Sequence, residues 1–161
     1  MNFDAFLKYL PKIAKENLIG EEAHEKMMPA ERITIFKNLD LDKIVARKAC
    51  VLMLLYPKNN ETYLVLILRN SYKGVHSSQI GFPGGKVEDS DLSLEDTALR
   101  ETFEEIGIDR KLITVIKPFT EIYIPPSNFK VYPFLGYSRE ELTFVPDNRE
   151  VSRIIEMPLS V

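Results

Sequence analysis

A chain of 161 residues with 45% hydrophobic residues is long and apolar enough for one domain with a buried core. Its net charge of −3 excludes the basic footprint of general nucleic-acid binding, although an acidic protein still takes an anionic substrate when cations bridge the two. A single cysteine, Cys50, excludes an internal disulfide and a cysteine-built metal site, and no apolar run approaches the roughly 18 residues of a membrane helix.

At the N-terminus, MNFDAFLKYLPKIAKENL lacks the basic start and apolar centre of a secretory peptide, which points to a cytoplasmic protein. Phe3, Phe6, Leu7, Leu10 and Ile13 recur at helical spacing, so residues 2–18 read as an amphipathic helix with a kink or break at Pro11. The polar GEEAHEKMMPAER follows, with His24 read as a surface residue. Residues 1–47 are therefore expected to form a mainly helical segment packed on a domain spanning 48–161.

Strands are expected at Lys48–Tyr56, Tyr63–Arg69 and Gln79–Phe82, the first two joined by the turn-rich PKNNE. Cys50 lies in the apolar run ACVLMLLY and reads as an inert core residue. Ser93 caps a helix running to Ile106, Asp96 approximates a capping box, and Gly107 supplies a left-handed stop. Thr114–Tyr123 and Phe129–Tyr137 read as extended, split by Pro125 and Pro126, and Asn148–Met157 is a last strand candidate. Strands on both sides of one central helix indicate an α/β or α+β class with a mixed sheet.

That helix raises a physical question. At about 100° per residue, Glu101, Glu104 and Glu105 fall within an arc of roughly 100°, and Leu99, Phe103 and Ile106 take the opposite side as the expected core face. Arg100, one turn before Glu104, can pair with it and hold its orientation. Three crowded carboxylates are either a solvated acidic face or a site for a hard divalent cation, which would turn their repulsion into shared attraction. Gly84 and Gly85 precede the helix and allow close approach of backbone to a ligand; alone, a glycine pair is merely a turn.

Gly85, Arg100, Glu101, Glu104, Glu105, Gly107 and Ile108 together resemble the Nudix box, G-x5-E-x7-R-E-U-x-E-E-x-G-U with U aliphatic. Asp91 stands where the box has its first Glu, eight residues rather than seven separate it from Arg100, and Phe103 replaces an aliphatic residue. RNSYKGVHSSQIGFPGG, Arg69 to Gly85, is similar to the upstream motif of coenzyme A pyrophosphatases through Arg69, His76, Gln79 and FPGG; Asn70, Lys73 and Ser78 depart from it. IPPSNFKVYPFLG also looks like that subfamily, so the resemblance covers about Ala49–Leu159.

The resemblance implies an α/β/α sandwich with a mixed sheet and a loop-helix, and hydrolysis of a nucleoside diphosphate derivative with Mg²⁺ or Mn²⁺ held by Glu101, Glu104 and Glu105. Coenzyme A is the leading substrate, cleaved to 3',5'-ADP and 4'-phosphopantetheine; another Nudix substrate or a non-catalytic nucleotide-binding module stay as alternatives. Either Glu101 or Glu150 is the general base, and Arg100 orients glutamates. Arg69, His76, Gly84, Gly85, Ser127 and Asn128 are the expected substrate contacts, with Lys73 and Lys86 as lesser candidates. Tyr123 and Phe129 can stack on adenine or sit in the core. Relatives in the subfamily usually continue beyond EMPLSV, so truncation stays open, as does a homodimer; no nucleic acid or membrane partner is expected.

Overall fold

The computed structural model describes residues 1–30, 33, 43–70 and 78–159. In chain order these form α1 (Phe3–Lys15), α2 (Glu21–Met27), β1 (Arg47–Lys58), β2 (Glu61–Arg69), β3 (Ile80–Gly81), β4 (Gly84–Lys86) and α3 (Leu94–Ile106). There follow β5 (Thr114–Pro118), β6 (Ile122–Ile124), β7 (Phe129–Tyr137) and β8 (Val151–Pro158). Asn59 and Asn60 turn the β1–β2 hairpin, both with positive φ (49° and 63°), as a two-residue primed turn requires. No helix among the described residues is long and apolar enough to cross a membrane.

Among the described residues the sheet has eight strands of mixed direction. β1 runs parallel to β7 over its length, from Arg47 opposite Phe129 to Leu55 opposite Tyr137. Its other edge is shared: β2 pairs with it from Leu55 to Lys58, and β4 pairs with it from Ala49 to Val51. β2 itself leaves β1 after Leu64 and takes β3 at Ile67 and Leu68, while β8 covers its far edge. β1 and β2 therefore fork, and the segment from Ile80 to Lys86 fills the fork. This split places the loop before α3 inside the sheet, where the functional residues gather.

Period-two alternation along β1 divides the core into two layers. Cys50, Leu52, Leu54 and Tyr56 face α3 and pack with Ala98 and Ile106. Met53 and Leu55 face the other way, with Leu135 and Tyr137, under Phe3 and Phe6 of α1. The result is the α/β/α sandwich expected from the sequence. Cys50 is fully buried, and burial pushes its thiol up to about 11, so it is a core residue.

Several expectations need correction. α1 runs through Pro11 to Lys15, held at its end by Lys117, whose Nζ donates to the carbonyls of Ile13 and Glu16. The polar GEEAHEKM segment contains α2, which agrees with a mainly helical N-terminal segment and is no correction. The extended run at 114–123 is two strands, β5 and β6, that share the edge of β7. The glycine pair is the start of β4, a strand whose lack of side chains hid it from the apolar pattern.

Candidate active site

Ser93 caps α3 as expected, its Oγ accepting from Asp96 N at 3.0 Å. The reciprocal bond lands one residue early, with Asp96 Oδ2 accepting from Leu92 N at 3.1 Å. Gly107, at φ 75°, ends the helix. The faces of α3 differ from the sequence reading. Its buried residues are Thr97, Ala98, Thr102, Glu105 and Ile106, whereas Phe103 is 55% exposed. On the helical wheel Glu105 lies in the middle of that buried arc. Glu105, and in part Glu101, thus turn toward the sheet, where Arg69 and the Gly84 N–H meet Glu105, while Glu104 stays exposed.

Glu105, 1% exposed, spans the fork. Its Oε1 accepts from Arg69 Nη1 at 2.8 Å and its Oε2 from Gly84 N at 2.7 Å. Arg69 also donates through Nη2 to Gly84 O at 2.6 Å, which ties the end of β2 to β4. Burial pushes the Glu105 carboxyl up to about 7; Arg69 and Gly84 N–H oppose this, and the charges of Glu101 and Glu150 add to it.

Arg100 commits all its donors. Nε and Nη2 grip Asp91 at 2.7 and 3.0 Å, Nη1 reaches Glu101 Oε1 at 2.9 Å and Glu104 Oε2 at 3.0 Å, and Nη2 also donates to Lys86 O at 3.1 Å. Asp91, whose side chain is 2% exposed, further accepts from Thr97 Oγ1 and Glu88 N, both at 2.8 Å. Arg100 holds Asp91 well below the usual carboxylate range. Asp91 is therefore the anchor of the loop, and it aims Arg100 at the two glutamates. Burial pushes Glu101 up, opposed by Arg100 and reinforced by Glu104 and Glu150.

The glycines have separate causes. Gly84 has φ 149°, and a Cβ there would fall 2.2 Å from Cys50 O. Gly85 leaves room for a side chain of α3: a Cβ would lie 2.4 Å from Glu101 Oε2. Both glycines also line a cavity of about 480 Å³ on the α1 face of the sheet. Gly84 and Gly85 are thus a thin partition, with glutamates against one side and the cavity on the other.

The cavity wall is mainly apolar, with Val51, Met53, Phe82, Phe119 and Phe129 among its residues, and Arg69, Lys86 and His24 supply basic groups. His24 belongs to α2 and no sequence signal placed it here. Arg69 lines the cavity but spends its charge on Glu105, so it positions that carboxylate. Glu150 sits at the turn before β8, exposed, and its charge acts on both Glu101 and Glu105. Ser127 and Asn128 do not join the cavity wall: Ser127 is buried in a 3-10 turn, and Asn128, at φ 50°, accepts from Tyr123 Oη at 3.0 Å and donates to Val45 O at 3.3 Å. His76 and Lys73 lie outside the described residues.

For a divalent cation the donor set has the right chemistry, since hard cations take carboxylate oxygens. Arg100 Nη1 shows that one oxygen each of Glu101 and Glu104 already converges on a single positive centre. Each carboxylate oxygen of Glu105 keeps a second lone pair. Among the described residues no three acidic, histidine or cysteine side chains already stand in ligating geometry.

The NUDIX domain model matches residues 46–160. Nudix hydrolase 15, mitochondrial, of Arabidopsis thaliana is 31% identical over 125 residues, covering 76% of this chain and 44% of that protein. The uncharacterized Nudix hydrolase NudL of Enterobacter sp. (strain 638) is 34% identical over 127 residues, covering 76% and 63%. The chain therefore spans about half to under two thirds of these relatives. Among solved structures, the Nudix hydrolase RenU of M. smegmatis superposes with TM-score 0.57 at 21% identity, over 70% of this chain and 71% of that one. The NUDIX domain of Shewanella oneidensis NrtR, complexed with ADP ribose, gives 0.56 at 18% identity, over 82% and 84%. At these identities the structures establish the fold.

Proposed function

The chain belongs to the NUDIX domain family, and from that premise we propose that it hydrolyses the pyrophosphate bond of a nucleoside diphosphate derivative, with coenzyme A or its derivatives as substrate. The products are then 3',5'-ADP and 4'-phosphopantetheine. The observation that carries this reading is the contact of Glu101 and Glu105 with Gly85 and Gly84, the same residues that line the cavity. A pyrophosphate laid across that partition has carboxylate-held charge on one side and room for its organic groups on the other. The motif likeness in Arg69–Gly85 and Ile124–Gly136 supports the coenzyme A class.

Glu101, Glu104 and Glu105 would hold Mg²⁺ or Mn²⁺. When bound, such an ion neutralises phosphate oxygens and acidifies a water. Arg69 keeps Glu105 aimed through the fork, and the Asp91–Arg100 pair does the same for Glu101 and Glu104. Glu150 is taken as the general base, a choice supported by its charge acting on Glu101 and Glu105 and by Arg100 already engaging Glu101. Lys86 on the cavity wall offsets substrate charge. A cytoplasmic setting belongs to the same proposal.

The test is product identification by mass spectrometry after incubation with coenzyme A and Mg²⁺ or Mn²⁺ in ¹⁸O-labelled water. The reading expects both products, with label on one of them identifying the attacked phosphorus. No cleavage of coenzyme A or 3'-dephospho-coenzyme A, with turnover of another nucleoside diphosphate derivative, moves the chain elsewhere in the family. A nucleotide-binding module without hydrolysis is the weaker reading because Glu101, Glu104 and Glu105 are all retained.

A further inference from the structure

We propose that Phe129 is the platform on which the nucleobase of the substrate stacks, an assignment that rests on the nucleotide reading above. Among the described residues three phenylalanine rings line the cavity, Phe82, Phe119 and Phe129. Phe119 packs into the cluster under α1. Phe129 alone of the three has a cation on its ring among the described residues: the Arg47 guanidinium carbon lies 4.2 Å from its centroid. Arg47 is itself fixed, since Nη2 donates to Ser127 O at 2.7 Å.

The sheet explains the pair. Arg47 and Phe129 are register partners in the parallel β1–β7 ladder, so their side chains share one face. Phe129 lines the cavity, whereas Arg47 is exposed and is not part of the wall. A cation over one face draws π density toward itself and leaves the remaining ring surface better suited to an electron-rich purine. Its orientation is also set before a ligand arrives, which lowers the ordering cost of binding.

The neighbours of Phe129 on the wall determine what kind of recognition this is. Ile122, Ile124 and Val131 are aliphatic and carry no side-chain hydrogen-bonding group. A base there is selected by stacking area and not by its hydrogen-bonding edge. Purines are therefore favoured over pyrimidines, with little separation of adenine from guanine. A flexible pantetheine arm gains nothing from a ring plane held in advance.

The test uses the full chain and equilibrium dialysis with ADP, GDP, CDP and 4'-phosphopantetheine as probes, in Mg²⁺. Wild type is expected to bind ADP and GDP alike and CDP several-fold more weakly. F129L should weaken ADP about tenfold and leave 4'-phosphopantetheine within about twofold, and F129W should restore ADP. F129W keeps the ring area and decides the matter if F129L does not fold: it must bind ADP at least as tightly as wild type. The assignment is overturned if wild type binds no ADP, if folded F129L binds ADP normally, if it loses 4'-phosphopantetheine equally, or if F129W does not bind ADP well. Binding is read without turnover, so such a failure leaves the hydrolysis reading intact, and failed hydrolysis leaves nucleobase binding measurable.

Discussion

Replacing Arg69 with Met removes the cation that faces a carboxylate buried to 1% exposure while keeping most of the side-chain volume. In the wild type the Glu105 carboxyl is raised from 4.5 to about 7. The sign follows: stability from protonated Glu105 is fully present below about pH 4.5 and is lost as pH rises through about 7. An opposite charge in contact lowers a carboxyl pKa, so R69M raises Glu105 further and extends the loss to higher pH. At pH 6 both proteins hold Glu105 mostly neutral, and the variant loses the two hydrogen bonds that the guanidinium donates to Glu105 and Gly84 O, about 3 kcal/mol together. At pH 8 the variant stays more protonated than the wild type, forgoing the solvation its unfolded chain enjoys, which adds on the order of 1 kcal/mol to its deficit. Urea unfolding followed by circular dichroism, in chelator at pH 6 and pH 8, reads both values. A deficit that is equal at the two pH values, or smaller at pH 8, would refute the Arg69–Glu105 account.

Other outcomes follow from the same geometry. E104Q should lower turnover about 100-fold while shifting stability by less than about 0.5 kcal/mol, since Glu104 is half-exposed and its bond to Arg100 is a surface pair; comparable losses in melting and activity would contradict this. G85A puts a methyl 2.4 Å from the Glu101 carboxylate, a flexible group that can turn aside. It should therefore fold and lose activity by about tenfold or more, read by kcat beside a thermal melt. G84A meets backbone at 2.2 Å from a positive φ and should instead lower the Tm strongly, which the same melt checks.

The helical spacing of Phe3, Phe6, Leu7 and Leu10, the cap at Ser93 and the stop at Gly107 were legible because each is a local rule with one structural answer. The orientation of α3 was not. Its apolar residues Leu99, Phe103 and Ile106 suggested a core face, yet Glu105 is buried and Phe103 is exposed. Burial of a carboxylate is decided by what meets it, and Arg69, 36 residues earlier, is joined to Glu105 only through the fork of the sheet. β4 was invisible for a related reason, since Gly84 and Gly85 have no side chains to show a period and are held by pairing with Cys50 and Val51. Asp91 read as a departure from a motif; its contacts show a shorter acid reaching Arg100 from a longer loop. Arg69 and the glycines were named from the sequence as substrate contacts, whereas the bonds that tie Arg69 to Glu105 and Gly84 join segments far apart in the chain and left no local signal. His24 on the cavity wall had no signal, because nothing in α2 reveals which sheet face it covers.

Anomalous diffraction from Mn²⁺-soaked crystals of the active chain, with and without a product nucleotide, addresses the acidic face of α3 most directly. The expected result is a manganese peak within about 2.1 Å of oxygens from Glu101, Glu104 and Glu105, with turnover abolished by chelator. Oxygens of all three without a metal neighbour, in protein that still cleaves its substrate in chelator, would contradict it.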